Sequence, residues 1–342
     1  MAVRSGSLAR FVVTRIVLAV PMVLLLLTFV FLLMRVAPGD PVTAALGDRL
    51  SAADLAQRRA AAGLDRPLLQ QYWEYVSHVA RLDFGRTITD NRAVSDIFVE
   101  NGGATLTLSI GALVVAVGLG LPLGLVAGRR RDSVLDVGIR LFGIVSYAAP
   151  VFFIGLLLQL VFGKALGWLP TSGQASPVVQ ATAESKTHIL LLDMLLTGDT
   201  GDITDALKHL VLPSVTLGLL VVGVLIRLVR VNLISTLQSD YVEAARARGI
   251  RERQVVRSHG FRNALVPVVT VFGLQVAALL GGAVLTEETF NWPGVGNELV
   301  RYLNNRDYTA VQGIITAIAL VVVVMSLLID VVNALIDPRI RY

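Results

Sequence analysis

Cysteine is absent from this chain, and lysine nearly so: of 30 basic residues, all but Lys164, Lys186 and Lys208 are arginine. Without thiols there is no disulfide, no thiolate zinc or iron–sulfur site and no cysteine nucleophile. Charge is scarce as well. Charged residues make up 16% of the chain, against about 25% in an ordinary soluble domain. The four histidines, His78, His188, His209 and His259, are scattered and form no ligand cluster. No G-x-x-x-x-G-K-[ST], H-E-x-x-H or G-x-S-x-G motif occurs. These absences predict no metal and no bound cofactor. They also exclude ATP binding through a phosphate loop, so uphill work by this chain needs a partner or an ion gradient.

What is present is apolar. Hydrophobic residues are 54% of the chain, and mean hydropathy is +0.70. Long charge-free runs alternate with charged stretches, the pattern of an all-α polytopic membrane protein. A spanning helix needs about 20 mostly apolar residues. Six segments qualify: Phe11 to Val36, Gly102 to Gly128, Val137 to Gly163, Leu210 to Val229, Ala264 to Thr286 and Tyr308 to Asn333. Pro21, Pro122 and Pro150 fall inside spans and are expected to kink or loosen them. The first apolar run is too long for a cleaved signal peptide and is read as a retained span. Gly120, Gly124 and Gly128 form successive small-xxx-small steps for close helix contact.

Orientation follows from the basic residues. With both termini cytoplasmic, 17 of the 30 basic residues lie inside and 18 of the 25 acids lie outside. This bias also accounts for the net charge of +5 without nucleic acid as a partner. The arginine preference fits a GC-rich bacterial genome. The chain divides into residues 1–101, a first span plus a long external loop, and 102–342, a five-helix core. The external loop carries helix-like stretches at Ser51 to Ala62 and Arg66 to Arg81, the former capped by Ser51 with Asp54 in its first turn. Lys164 to His209 reads as irregular, with one short helix at His188 to Leu196. No internal repeat of the secondary-transporter kind is visible.

Ion-coupled carriers bury ionisable groups at mid-membrane, and here the spans are nearly bare. Asp330 and Arg15 lie near the cytoplasmic ends of their spans, where an interfacial anchor or helix partner is the expected role. Gln159, Gln275 and Gln312 are expected to bond between helices.

The loop between the fourth and fifth spans, about residues 230–263, is the most informative segment. Asp240, Tyr241, Val242, Glu243, Ala244, Ala245 and Arg246 belong to a good helix former, and Gly249 before Ile250 is placed to stop it. A second short helix is expected at Glu252 to Ser258. On residue chemistry alone this segment fits two roles. It is either an amphipathic, positively charged loop on the inner leaflet, or a small-faced helix onto which another protein closes.

Glu243-Ala244-Ala245, three residues, Gly249 and the distal Pro267 resemble the E-A-A-x-x-x-G loop of ABC-importer permease subunits. The resemblance runs along essentially the whole chain and points to the dipeptide/oligopeptide permease family. It includes Pro38-Gly39-Asp40-Pro41, Gly63-Leu64-Asp65-Arg66-Pro67, Arg262 to Thr270, Gly273-Leu274-Gln275, Leu285-Thr286-Glu287, Trp292-Pro293-Gly294-Val295-Gly296, Arg306-Asp307-Tyr308 and Asp337 to Tyr342. The long third-to-fourth loop with Asp202 to Leu212 resembles the dipeptide B-type subunit more than the oligopeptide one. One departure is His259-Gly260-Phe261, where the family more often has His-Ala-Leu; Gly260 is expected to loosen the helix entering span five.

The resemblance implies a type I ABC-importer permease fold with six membrane helices in the bacterial inner membrane. It implies a second permease, two ATPase subunits and an external substrate-binding protein as partners, besides lipid. The chain would not itself be an enzyme. Asp240, Tyr241, Glu243, Ala244, Ala245, Arg246, Gly249 and Ile250 would form the ATPase-coupling loop. Glu287, Trp292, Pro293, Gly294 and Gly296 would meet the binding protein or cover the cavity, while an interfacial anchor is the plainer role for Trp292. The implied cargo is dipeptides or short peptides, with nickel, glutathione or haem as cargoes of near relatives. An ion-coupled secondary transporter is the rival from another class.

Overall fold

The computed structural model describes residues 5–36, 51–61, 65–198 and 200–336. The Pro38 to Pro41 motif, Gly63-Leu64 and the Asp337 to Tyr342 ending lie outside the described residues. Every regular element described is helical. The long apolar runs give α1 (Ser5–Val36), α4 (Val94–Arg129), α9 (Thr200–Leu237), α12 (Arg262–Thr289) and α14 (Tyr308–Ile336). Between α1 and α4 lie α2 (Ala52–Ala61) and α3 (Leu68–Ala80). The Ser51 hydroxyl accepts the Asp54 amide at 3.2 Å, so the expected cap is formed. Between α4 and α9 come α5 (Val134–Ala148), α6 (Val151–Leu158), α7 (Pro177–Thr182) and α8 (Leu190–Thr197). The α9–α12 loop carries α10 (Asp240–Ala247) and α11 (Glu252–Gln254), and α13 (Val295–Asn304) follows α12.

Among the described residues, four helices are long and apolar enough to cross a membrane: α1, α4, α9 and α14. The α5–α6 pair makes a fifth if its two halves form one span. The 28-residue α12 occupies the segment expected as span five. Large apolar side chains such as Val17, Leu25, Phe29, Val114, Ile144 and Leu328 are exposed along these helices. In water that surface would be costly; against lipid it is matched.

The core is built on α4 against α9. Lipid tails are as apolar as Leu, so helices in a bilayer gain by close packing rather than by escape from water. Glycine supplies the closeness. A Cβ at Gly120, Gly124 or Gly128 would stand 2.7, 2.6 and 2.8 Å from the side chains of Leu225, Val229 and Leu233. Gly218 of α9 returns the contact, with a Cβ position 2.8 Å from the Ala112 carbonyl oxygen and 3.0 Å from Val115. Leu108, Ala112, Ala116, Leu217, Val222 and Leu225 fill the seam between them.

The break expected at Pro150 is present and sharp: α5 and α6 meet at Ala149-Pro150 with a bend of 108°. Pro150 has no amide to continue the helix and pushes Ala149 into an extended conformation (ψ 137°). Where α5 crosses α9, a Cβ at Gly143 would lie 3.5 Å from the Gly223 Cα. The fourth helix begins at Thr200 rather than Leu210, with Asp202 in its first turn. Polar Thr200 to His209 disguised a helix end that tertiary contact stabilises. Residues 164–209 likewise hold α7 as well as α8, packed through Ala175, Val179, Met194 and Ala206. Residues 101 and 102, the expected division of the chain, are consecutive positions inside α4.

Candidate functional site

The loop between α9 and α12 is a compact structure with an inner and an outer face. Asp240 and Glu243 occupy the first turn of α10, where carboxylates suit the positive end of the helix dipole, and Arg246 occupies the last. Val242 and Ala245, three positions apart, are buried against Val255, with Leu237 and Ile250 alongside. Asp240, Tyr241, Glu243 and Ala244 are exposed. Gly249 stops the helix as expected, at φ +75°, a conformation costly for any residue with a Cβ. Its amide bonds the Arg246 carbonyl at 2.9 Å, and the Ile250 amide bonds the Ala245 carbonyl at 3.3 Å. Together these bonds form a Schellman cap, with Ile250 set into the cluster behind it.

Arg246 folds back along the loop while staying exposed. Its guanidinium donates to both Glu252 oxygens, at 3.0 and 3.1 Å, and to the Leu237 carbonyl at 3.2 Å. The Arg246 hydrogen bond holds the Glu252 carboxyl below its ordinary range, against burial that pushes it up. Arg246 therefore closes the loop upon itself, while Asp240, Glu243 and Ala244 are exposed on α10 beside the exposed Arg248. Tyr241 is held by the Asn263 amide, at 3.0 Å, at the root of α12.

The expected second helix does not end at Ser258. From Glu252 the chain runs through a π-helical stretch, Val255–Phe261, directly into α12. Gly260 lies in that stretch, where a Cβ would stand 2.8 Å from Leu237 and 3.2 Å from Leu233. The glycine thus lets the wider π-turn lie against the end of α9, instead of merely loosening the helix.

At the opposite end of α12 the chain turns sharply. Glu287 is fully buried. Its carboxylate accepts the Thr105 hydroxyl at 2.7 Å and the Asn297 amide at 3.0 Å, which places it at the N-terminus of α13. A Cβ on Gly294 would collide with that carboxylate, and one on Gly296 would stand 2.8 Å from it. Trp292 is buried too. Its indole N–H donates to the Ala104 carbonyl at 2.9 Å, and the Pro293 carbonyl accepts the Asn101 side chain at 3.1 Å. The five residues singled out in this segment thus meet in one internal joint between α4, α12 and α13. Trp292 is an interior anchor rather than a ring at the membrane surface.

Two arrangements escaped the sequence reading. Asp136, buried in the first turn of α5, takes a bidentate pair from Arg230 of α9, Nε to Oδ1 at 2.7 Å and Nη2 to Oδ2 at 2.8 Å. It also accepts the Asp132 amide at 3.0 Å. The partners are 94 residues apart in sequence, so no local signal links them. Asp307, which precedes α14, accepts the Ile88 and Thr89 amides at 2.7 and 2.9 Å and the Ala310 amide at 3.0 Å. Asp90 of the same segment accepts hydrogen bonds from Thr87 and from the Tyr302 hydroxyl, the latter at 3.0 Å. These bonds tie the turn after α3 onto α13 and α14.

Comparison with known proteins gives concordant matches over both halves. The family described as binding-protein-dependent transport system inner membrane component matches residues 120–342, and its N-terminal counterpart matches residues 8–108. A di/tripeptide transport system permease protein DppB from Pseudomonas aeruginosa is 39% identical over 333 residues, 97% of this chain and 98% of the relative. A dipeptide transport system permease protein DppB from Escherichia coli is 36% identical over 338 residues, 97% of this chain and 99% of that one. A glutathione transport system permease protein GsiC from Salmonella choleraesuis is 36% identical over 333 residues, again 97% and 99%.

Proposed function

Because the chain belongs to the family of binding-protein-dependent transport system inner membrane components, we propose that it is the membrane permease of an ATP-driven importer of dipeptides or short peptides. In this reading six helices cross the bacterial inner membrane, the bent α5–α6 pair counting as one span, with both termini cytoplasmic and the type I permease fold. A second permease completes the path, two ATPase subunits dock on the α10 side, and an external binding protein delivers cargo on the α13 side. The observation that carries the peptide assignment is near-full-length likeness to peptide permeases of two organisms.

The geometry supports a division of labour. α10 offers Glu243 and Ala244 outward on a helix whose inner face and cap are locked to α9 and α12. A partner that grips such a helix moves its whole root. Coupling then requires the ATPases to bind this face differently in their two nucleotide states. On the other side, the Glu287–Trp292 joint holds α13 rigidly to α4, suited to covering the path or receiving the binding protein. The chain itself hydrolyses no ATP in this reading.

Purification in mild detergent with mass spectrometry of the co-purifying proteins tests it. Recovery of a sister permease and two ATPases is expected. A chain that purifies alone under several detergents, and still transports, would overturn it. Glutathione is the second cargo reading, favoured by the Salmonella relative. Competition of labelled dipeptide uptake by unlabelled glutathione separates the two.

A further inference from the structure

A groove of about 740 Å³ lies between α1 and α14, outside the loops already described. Its lining on α1 runs from Phe11 to Leu26, which at 1.5 Å per residue spans about 22 Å. One leaflet of a bilayer comprises about 15 Å of hydrocarbon and about 6 Å of headgroup region. The groove thus has the length of one leaflet. Its polarity is graded in the same sense. Arg15, Asp330 and Asn333 lie toward one end, and the remainder, through Met22 to Leu26, is apolar on the α1 side.

The polar end carries two opposite charges side by side. An Arg15 guanidinium nitrogen stands 3.3 Å from an Asp330 carboxylate oxygen, and the two side chains keep 45% and 24% of their surface exposed. The pair is therefore half-open, with donors left on the guanidinium and acceptor capacity on the carboxylate. A lone arginine here would favour any anionic lipid. An arginine matched by an aspartate favours a headgroup that itself carries a phosphate and a hydrogen-bonding ammonium.

We propose that this groove binds one phospholipid of the phosphatidylethanolamine class, its phosphate on Arg15, its ammonium on Asp330 and an acyl chain along Met22 and Leu26. The inference needs only that the chain lies in a bilayer, not that it carries peptides. It is tested on the full chain in nanodiscs containing equal phosphatidylethanolamine, phosphatidylglycerol and phosphatidylcholine. Native mass spectrometry reads the lipids that remain bound after detergent extraction. Wild type should retain phosphatidylethanolamine about fivefold over each of the other two. Asp330→Asn should turn the preference toward phosphatidylglycerol, and Arg15→Gln should abolish retention. Met22→Trp, which fills the groove without touching a charge, should also displace the lipid; Leu26→Trp serves if that variant does not insert. Equal retention of the three lipids, or retention unchanged in Arg15→Gln and in the tryptophan variants, overturns the proposal. So does loss of the lipid when the sister permease assembles, which would make the groove a protein interface.

Discussion

Glu287 shows how a buried carboxyl group is made tolerable in an apolar chain. A carboxylate stripped of water must be hydrogen-bonded, or it costs several kcal/mol. Thr105 and the first amides of α13 supply those bonds, and Gly294 and Gly296 leave the room. Gly294→Ala is therefore expected to lower stability by about 1–3 kcal/mol, read as a lower unfolding temperature of the purified complex. Glu287→Gln, which keeps shape and one acceptor, should lose less than Glu287→Ala. An equal loss in both would mean that packing, not hydrogen bonding, holds the joint.

Asp90 gives a pH dependence with a definite sign. Burial pushes its carboxyl up, but the bonds from Thr87 and Tyr302 outweigh this and hold it below the ordinary Asp range. A carboxyl lowered on folding adds stability above its unfolded pKa of about 3.9, and that stability is lost as pH falls through the folded value. Asp90→Asn should accordingly flatten the fall in melting temperature below about pH 4 and leave its slope near neutrality unchanged. Melting curves at graded pH on both proteins measure this.

Among the elements, what was legible was what is local. The α10 stop could be read because Gly249 and the Ala-rich turn before it act within one turn of chain. The apolar segments could be read from length alone. The 108° elbow could not, because Pro150 permits a break without setting its angle; the Gly143–Gly223 crossing, set by distant sequence, helps to position α5. The burial of Trp292 was hidden for the same reason, since its partner is the Ala104 carbonyl of another helix. The start of α9 was missed because Ile203 and Ala206 lie among polar residues and pack on α7 and α8 rather than form a continuous apolar run.

Two predictions belong to this scale. Gly249→Pro cannot adopt the positive φ and removes the amide that bonds Arg246. It should unseat the cap, and transport and ATPase attachment should fall while membrane insertion persists. Glu243→Lys, exposed and outside the hydrophobic cluster, should lose attachment with an unchanged melting temperature. Attachment at wild-type level in both variants, scored by co-purification, would move the coupling surface elsewhere. In the core, Gly124→Ala puts a Cβ 2.6 Å from that of Val229. Separating α4 from α9 should cost about 1–3 kcal/mol, visible as reduced yield of folded chain.

Across the whole molecule, the α10 loop and the membrane helices are joined through few points. Gly260 seats the π-turn on Leu233 and Leu237, and Leu233 is also the residue that Gly128 admits against α4. One turn of α9 away, Arg230 grips Asp136 at the start of α5. A displacement of α10 therefore reaches α4 by packing and α5 by a charge pair, and α5 leads to the elbow. Removing one partner of a buried pair strands the other charge, at a cost of about 3 kcal/mol. Asp136→Ala should thus lower stability more than the double variant Asp136→Ala/Arg230→Leu, in which no charge is stranded. If the pair also transmits motion, the double variant should assemble with its ATPases yet hydrolyse more ATP per peptide imported than wild type. Stability restored with normal stoichiometry would restrict Asp136 and Arg230 to holding the fold, and leave the Gly128–Leu233–Gly260 contact as the route from α10 into the membrane.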